Sequence, residues 1–116
     1  MIIVTLRIKV PRERHRDFMD SARLILEPTK IQPGCISCRL HQDLDESDAV
    51  FLVEEWESRK KLDHHFNSDQ YRIILSLMEA SDRFPDIKIN TISKTEGLEA
   101  IEAVRNGSKK YVNLQI

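Results

Sequence analysis

The chain has 116 residues and a formal net charge of −1; 32% of its residues are charged and 41% are hydrophobic. This length suffices for one globular domain but not for two, and the low count of 3 Gly and 4 Pro excludes a fibrous or low-complexity chain. The 18 basic and 19 acidic residues are interspersed, so no basic patch indicates nucleic-acid binding.

The first elements in chain order are a strand and a helix. Apolar side chains alternate along residues 2–10, which predicts a strand with one covered face, and Pro11 ends it. Residues 12–27 predict an amphipathic helix. Its apolar stripe begins at His15 and continues with Phe18, Met19, Ala22, Ile25 and Leu26. We expect Pro28 to mark the exit from this helix and Pro33-Gly34 to form a turn.

A second strand is predicted over residues 35–43, and a short acidic loop joins it as a hairpin to the next strand. Regular alternation would place one set of side chains on the same face: Ile36, Cys38, Leu40 and Gln42. The same alternation sends Cys35 and Cys38 to opposite faces, and no second Cys or Cys/His pair completes a zinc site. We therefore expect two reduced thiols and no metal.

The central stretch, residues 49–68, carries the candidate site. It begins with a strand over residues 49–56, whose inward face is expected to hold Val50, Leu52, Glu54 and Trp56. Ser58 can cap the helix that follows. In that helix Leu62, His65 and Phe66 fall at i, i+3 and i+4, while His64 is turned toward solvent. A carboxylate, an indole and an imidazole should therefore converge on one small hollow. Two interpretations of His65 stay open: a hydrogen-bonded core residue, or a titratable group in a pocket.

A further helix and a fourth strand follow. Ser68 or Asp69 can cap the helix, whose expected core positions are Tyr71, Ile74, Leu75 and Met78. Alternation of Ile87, Ile89 and Thr91 predicts the strand. The order βαββαβ is that of the ferredoxin-like α+β fold, with a four-stranded antiparallel sheet and both helices on one face.

The tail adds a predicted helix and strand. The helix contains Leu98, Ile101, Ala103 and Val104 and is closed by Asn106-Gly107, and the terminal strand contains Val112, Leu114 and Ile116. We divide the chain into a domain of residues 1–95 and an extension of residues 96–116. The helices leave one sheet face uncovered, so we expect a homodimer formed sheet to sheet, with the tail strand at a sheet edge or on the partner.

The amino terminus alternates too regularly for a signal peptide, and no apolar run reaches the length needed to cross a bilayer. A cytoplasmic location without membrane partners is therefore expected.

Two runs resemble the antibiotic biosynthesis monooxygenase domain, which includes quinol monooxygenases: residues 27–43 (EPTKIQPGCISCRLHQD) and residues 51–75 (FLVEEWESRKKLDHHFNSDQYRIIL). The matching positions are Glu27-Pro28-Thr29, Pro33-Gly34-Cys35, Gln42-Asp43, Glu54-x-Trp56-x-Ser58, Leu62, His65 and Ser68. The resemblance covers roughly residues 1–94 and implies a ferredoxin-like fold assembled as a dimeric α+β barrel. Two departures are Cys38, which stands where an aromatic residue is usual, and the tail from about Glu96.

The resemblance implies a monooxygenase that oxidises a small phenolic or quinol substrate with dioxygen and without metal, flavin or haem. In this scheme His65 is the base and Glu54 orients it or a substrate hydroxyl. The expected substrate contacts are Trp56, Leu52, Leu62 and Phe66.

Two other functions are compatible with the same residues. One is a non-catalytic dimeric module for ligand binding or interaction, in which His65 and Trp56 are core residues; a cavity filled by side chains would favour it. The other is a haem-binding protein. The position of the axial histidine in the haem-degrading relatives corresponds to Leu75 here, which argues against haem.

Overall fold

A computed structural model of the chain describes residues 1–81 and 84–105. The predicted terminal strand and the Asn106-Gly107 pair lie outside these residues. The elements, in chain order, are β1 (Ile2–Lys9), a 3₁₀ turn (Arg12–Arg14), α1 (His15–Lys30), β2 (Cys35–Gln42), β3 (Ala49–Trp56), α2 (Arg59–Phe66), α3 (Tyr71–Glu79), β4 (Asp86–Thr91) and α4 (Leu98–Val104).

The four strands form one antiparallel sheet in the order β2-β3-β1-β4. This is the predicted ferredoxin-like α+β fold, and the predicted fold class is confirmed. Leu6 of the central strand β1 lies opposite Leu52 on one side and Ile87 on the other. The side of the sheet that carries these residues faces α1 and α3, and we call it the inner face.

The core lies between the inner face and the two long helices, because each element presents its apolar positions there. Its members include Leu6, Ile8, Val50 and Leu52 from the sheet, Phe18, Ala22 and Ile25 from α1, and Tyr71, Ile74 and Leu77 from α3. A second cluster at the end of the sheet contains Ile2, Val4, Trp56 and Leu62. In the part of the chain that the structure describes, no helix is both long and apolar enough to cross a membrane.

Helix α1 extends further than the sequence predicted. It continues through Pro28 to Lys30, so the prediction that Pro28 marks the exit was wrong. Proline costs the helix one amide donor, but Pro28 is exposed and the extension carries Thr29 into the core, where this residue is fully buried.

The face assignment predicted for β2 was also wrong at its start. The strand register shifts between Cys35 and Ser37, so that Ile36 is an extra, half-exposed residue. Such a β-bulge restarts the alternation. Cys35 therefore lies opposite Trp56 and Cys38 opposite Glu54, both on the inner face.

Helix α3 turns a different side to the core than expected. Leu77 is buried, whereas Leu75 is 48% exposed, so the placement of Leu75 in the core was wrong. Buried positions recur at intervals of three residues through Tyr71, Ile74 and Leu77.

Candidate active site

The fold brings three of the predicted site residues, Glu54, Trp56 and His65, together at one end of the sheet. Glu54 and Trp56 are two residues apart on β3 and both point to the inner face. Ser58 follows two residues after the end of β3 and caps α2, its side chain accepting a hydrogen bond from the amide of Lys61 at 3.2 Å. Helix α2 therefore turns back over the sheet, and His65 near its end reaches Trp56.

Turn 31–34 closes this end of the site. Gly34 has φ +86°, and an added Cβ would lie 2.4 Å from the Cβ of Lys61 on α2. Both the positive φ and this close approach require glycine. The carbonyl of Gly34 also accepts a hydrogen bond from the amide of Glu57 at 2.8 Å, so the turn is bonded to the residue that follows β3 and lies close to α2.

The imidazole of His65 lies between an indole and a carboxylate. Its ring stacks on Trp56 with a centroid distance of 4.6 Å and an interplanar angle of 26°. Its Nε2 lies 3.3 Å from Oε1 and 3.4 Å from Oε2 of Glu54. The indole Nε1 of Trp56 donates to Oε1 of Glu54 at 3.0 Å. One buried carboxylate thus contacts both rings.

Two further aromatic rings enclose the imidazole. Tyr71 meets it edge-on at 5.1 Å, and Phe66 lies at 6.2 Å. His65 and Trp56 are completely buried, and Glu54 is 2% exposed. His64, the next residue in the same helix, is exposed to solvent, as predicted.

The hollow that we expected between indole and imidazole is absent. At 4.6 Å the two rings are in direct contact, whereas a third ring between them would need about twice the roughly 3.5 Å contact distance between carbon atoms. A cavity between helices and sheet has a volume of about 10 Å³ and is lined by Leu52 but by none of the other predicted site residues. It is about the size of one water molecule's probe sphere.

The predicted substrate contacts occupy different surroundings. Leu62 is completely buried beside Trp56, Phe66 is partly buried, and Leu52 belongs to the main core. Of these side chains, Phe66 has the most exposed surface. Their roles toward a substrate stay predictions.

The sequence interpretation missed a chain of polar side chains that continues from His65. Its Nδ1 lies 2.7 Å from Oε1 of Gln32. The side-chain NH₂ group of Gln32 donates to Oε1 of Gln70, and the side-chain NH₂ group of Gln70 donates to Oγ1 of Thr29 at 3.4 Å. Among the described residues, the buried polar ones are Thr29, Glu54 and His65, so one continuous network serves them all. The inward position of Thr29 could have been predicted from the sequence, since it lies four residues after Ile25 on the apolar stripe of α1. Gln32 and Gln70 lie outside the helices and strands, so no periodic pattern indicates them.

The negative charge of Glu54 acts on several neighbours. Burial, and then Glu54, raise the pKa of Tyr71 from its usual 10.0 to about 12. The same two causes, in the same order, raise the pKa of Cys35 to about 11 and that of Cys38 to about 12. The two thiols and the phenol are therefore neutral near pH 7.

Neither a metal cluster nor a disulfide is present among the described residues. Cys35 and Cys38 are both free, and residues 1–81 and 84–105 contain no group of three or more His, Cys, Asp and Glu side chains suited to hold a metal. A shallow groove of about 680 Å³ lies elsewhere, near the start of α1. Its lining is charged and includes Arg12, His15, Arg16 and Arg23 but none of the predicted site residues.

The fold and this site together define a class: a ferredoxin-like α+β protein with an imidazole–carboxylate pair buried beneath its helices. The sequence profile described as "Antibiotic biosynthesis monooxygenase" matches residues 1–74. The chain belongs to the antibiotic biosynthesis monooxygenase family, as the resemblance implied.

Individual relatives agree with this assignment. An uncharacterised protein of Synechocystis sp. is 30% identical over 104 residues, which are 84% of this chain and 67% of the relative. The crystal structure of a conserved protein from Methanosarcina mazei is 30% identical, with a TM-score of 0.73 over 77% of this chain and 89% of that one. A Mycobacterium tuberculosis protein at 21% identity has a TM-score of 0.75 over 83% and 98% of the two chains, which shows the shared fold alone.

Proposed function

We propose that this protein is a cofactor-independent monooxygenase that oxidises a small phenol or quinol with dioxygen. The observation that carries the proposal is the His65–Glu54 contact at 3.3 Å inside an aromatic enclosure. Burying a carboxylate costs free energy unless it is compensated. Family membership and this costly pair together favour a catalytic role over a purely structural one.

The proposed chemistry assigns a role to each group. His65 takes the proton of a substrate hydroxyl, and the charge of Glu54 stabilises the imidazolium that forms. The resulting anion transfers an electron to dioxygen, and a carbon–oxygen bond then forms on the ring. For a quinol, one oxygen atom enters the ring and the other leaves as water, while the substrate supplies all four electrons and becomes a hydroxyquinone. The surrounding aromatic rings exclude water from the anion.

Oxygen consumption tests this proposal directly. The protein should accelerate oxygen uptake by a reduced quinol in air, and His65→Ala should abolish that acceleration. His64→Ala is the matched control, because His64 is the exposed neighbour on the same helix. Equal uptake with and without protein, over a panel of phenols and quinols, would contradict the proposal.

One specific observation favours a second function, a non-catalytic dimeric module for ligand binding or interaction. The site is closed in this structure: Trp56 and His65 touch, and neither is exposed. If the two rings serve only the core, His65→Ala should destabilise the fold by about 2–5 kcal/mol, as other large buried truncations do, and oxygen uptake should be the same with and without the protein. A small loss of stability with a complete loss of turnover would favour the enzyme.

We further propose a homodimer in which the sheets of two copies meet through their outer faces, the sides that point away from α1 and α3. This face carries Ile3, Phe51 and Val53, which are only partly buried in one chain. The extension that begins near residue 96, of which α4 is described, is proposed to pack on its own domain or on the partner.

A further inference from the structure

We propose that the Nδ1 side of His65, now occupied by the carboxamide of Gln32, is the position where the hydroxyl of a neutral phenolic ligand binds. Gln32 and Gln70 are then the side chains that a ligand displaces to reach the imidazole. This inference rests on the proposed function, since it names the position and the chemical class of that substrate.

Both ring nitrogens of His65 already have protein partners. Nε2 faces Glu54 at 3.3 Å, and Nδ1 faces Gln32 at 2.7 Å. A ligand that contacts either nitrogen must therefore displace one of these partners. The structure shows which of the two is easier to move.

Glu54 is the fixed partner. It lies on β3, an interior strand of the sheet between β1 and β2, and is 2% exposed. The indole of Trp56 donates to its carboxylate at 3.0 Å. A ligand on this side would have to break that bond inside the core.

Gln32 is the movable partner. It lies in the turn between α1 and β2 and is partly exposed. Its backbone is held, because its amide donates to the carbonyl of Thr29 and its carbonyl accepts from the amide of Cys35, both at 3.1 Å. The side chain alone can therefore leave Nδ1 without a change in the fold.

Gln70 stands behind Gln32 and is also partly exposed. It lies immediately before α3, and its side chain joins that of Gln32 to the hydroxyl of Thr29. The two amides bring together the α1–β2 turn and the α2–α3 junction. Two partly exposed side chains in contact with each other thus cover the Nδ1 side of His65.

The amides also indicate the ligand's chemistry. A carboxamide can present either its oxygen or its NH₂ group to Nδ1, and a half-turn of both glutamines reverses the whole chain, because the Thr29 hydroxyl can accept or donate. A neutral hydroxyl has the same dual capacity. A carboxylate can only accept, and it would add a second negative charge beside Glu54. The position therefore favours a phenol over a benzoate.

The test is a titration of the protein with phenol and, separately, with benzoate, followed by the ring ¹⁵N signals of labelled histidine. We expect phenol to shift the Nδ1 signal of His65. Gln32→Ala removes the competing hydrogen bond and should tighten phenol binding about two- to tenfold. Benzoate should have little effect.

Gln42→Ala is the matched control, since the Gln42 amide bonds to the carbonyl of Ser47 at the distant end of β2; its affinity for phenol should equal that of the unaltered protein. Gln70→Ala is a second variant, which loosens Gln32 without changing the group at Nδ1 and should tighten binding less. No shift at Nδ1 with phenol in any of these proteins, or equal tightening in the control, would overturn the inference.

The readout needs no turnover, so it separates the two proposals. Phenol binding at Nδ1 without oxygen uptake for any substrate would contradict the monooxygenase and leave the binding position. Oxygen uptake that depends on His65 but is unchanged in Gln32→Ala, without a shift at Nδ1, would support the monooxygenase and contradict the binding position.

Discussion

At the scale of single residues, the negative charge of Glu54 contributes to the raised pKa values of the ionisable side chains around it. The thiol of Cys35 is partly buried and has a pKa raised to about 11, first by burial and second by Glu54. We expect native Cys35 to react with an alkylating reagent roughly a hundredfold more slowly than an ordinary thiol, because the thiolate is the reactive form.

Glu54→Gln should accelerate this alkylation, because it removes the second cause of the raised pKa while burial remains. Glu55→Gln is the control: Glu55 points to the outer face, where it accepts a hydrogen bond from Ser37 at 2.6 Å. Mass spectrometry of the alkylated peptides measures both rates. An unchanged rate in Glu54→Gln would show that the carboxylate carries no charge near the thiol.

The raised pKa of Tyr71 predicts how the stability of the folded protein changes at alkaline pH. Its pKa in the folded protein is raised from 10.0 to about 12, so the folded state holds the phenolic proton more tightly than the unfolded state does. This contribution to stability is complete below pH 10 and is lost as the pH rises toward 12.

Ultraviolet absorbance of the phenolate can follow this titration. The chain has 2 tyrosines, and Tyr71→Phe should remove the late-titrating one and weaken the fall in the free energy of unfolding above pH 10. Titration of Tyr71 at its usual pH would contradict the prediction.

At the scale of helices and strands, α3 offers a matched pair of leucines. Leu77 is 7% exposed within the core, and Leu75 is 48% exposed on the same helix. We expect Leu77→Ala to lower the free energy of unfolding by about 2–5 kcal/mol. Leu75→Ala should cost clearly less, because less apolar area returns to water. Chemical denaturation measures both, and equal losses would place the helix in a different rotation.

Which elements the sequence could predict depends on how local their causes are. The alternation in residues 2–10 and the cap at Ser58 are local patterns, and β1 and α2 form where predicted. The rotation of α3 depends on how it packs against α1 and the sheet, so a choice between Leu75 and Leu77 needs tertiary contacts. Pro28 illustrates the same limit, since burial of Thr29 extends a helix beyond a residue that usually ends one.

In the candidate site, too, the sequence predicted the features with local causes and missed those that depend on tertiary contacts. Strand alternation placed Glu54 beside Trp56, and helical spacing placed His65 inward. The sequence contained no signal for the closeness of the two rings, which depends on how far α2 lies from β3. Gln32 and Gln70 are 38 residues apart, and only the folded chain brings them together.

At the scale of the whole molecule, the proposed dimer makes the outer sheet face the sensitive surface. Val53→Lys would bring two further positive charges into the interface, where Arg39 is the cross-strand neighbour of Val53, and should convert a dimer to monomers by like-charge repulsion. Leu44→Lys is the control, because Leu44 is fully exposed in the loop between β2 and β3. Light scattering after gel filtration measures the mass, and dimers that persist in Val53→Lys would contradict a sheet-to-sheet interface.

The bulge in β2 has a consequence for how the chain tolerates changes in length. Cys35 lies opposite Trp56 and Ser37 opposite Glu55, so Ile36 alone has no cross-strand neighbour. Deleting that one residue would leave a regular ladder in which both thiols keep their present neighbours. Deleting either adjoining residue would leave Ile36 to fill a paired position. A one-residue deletion changes the register of most strands, but at Ile36 the sheet should tolerate it.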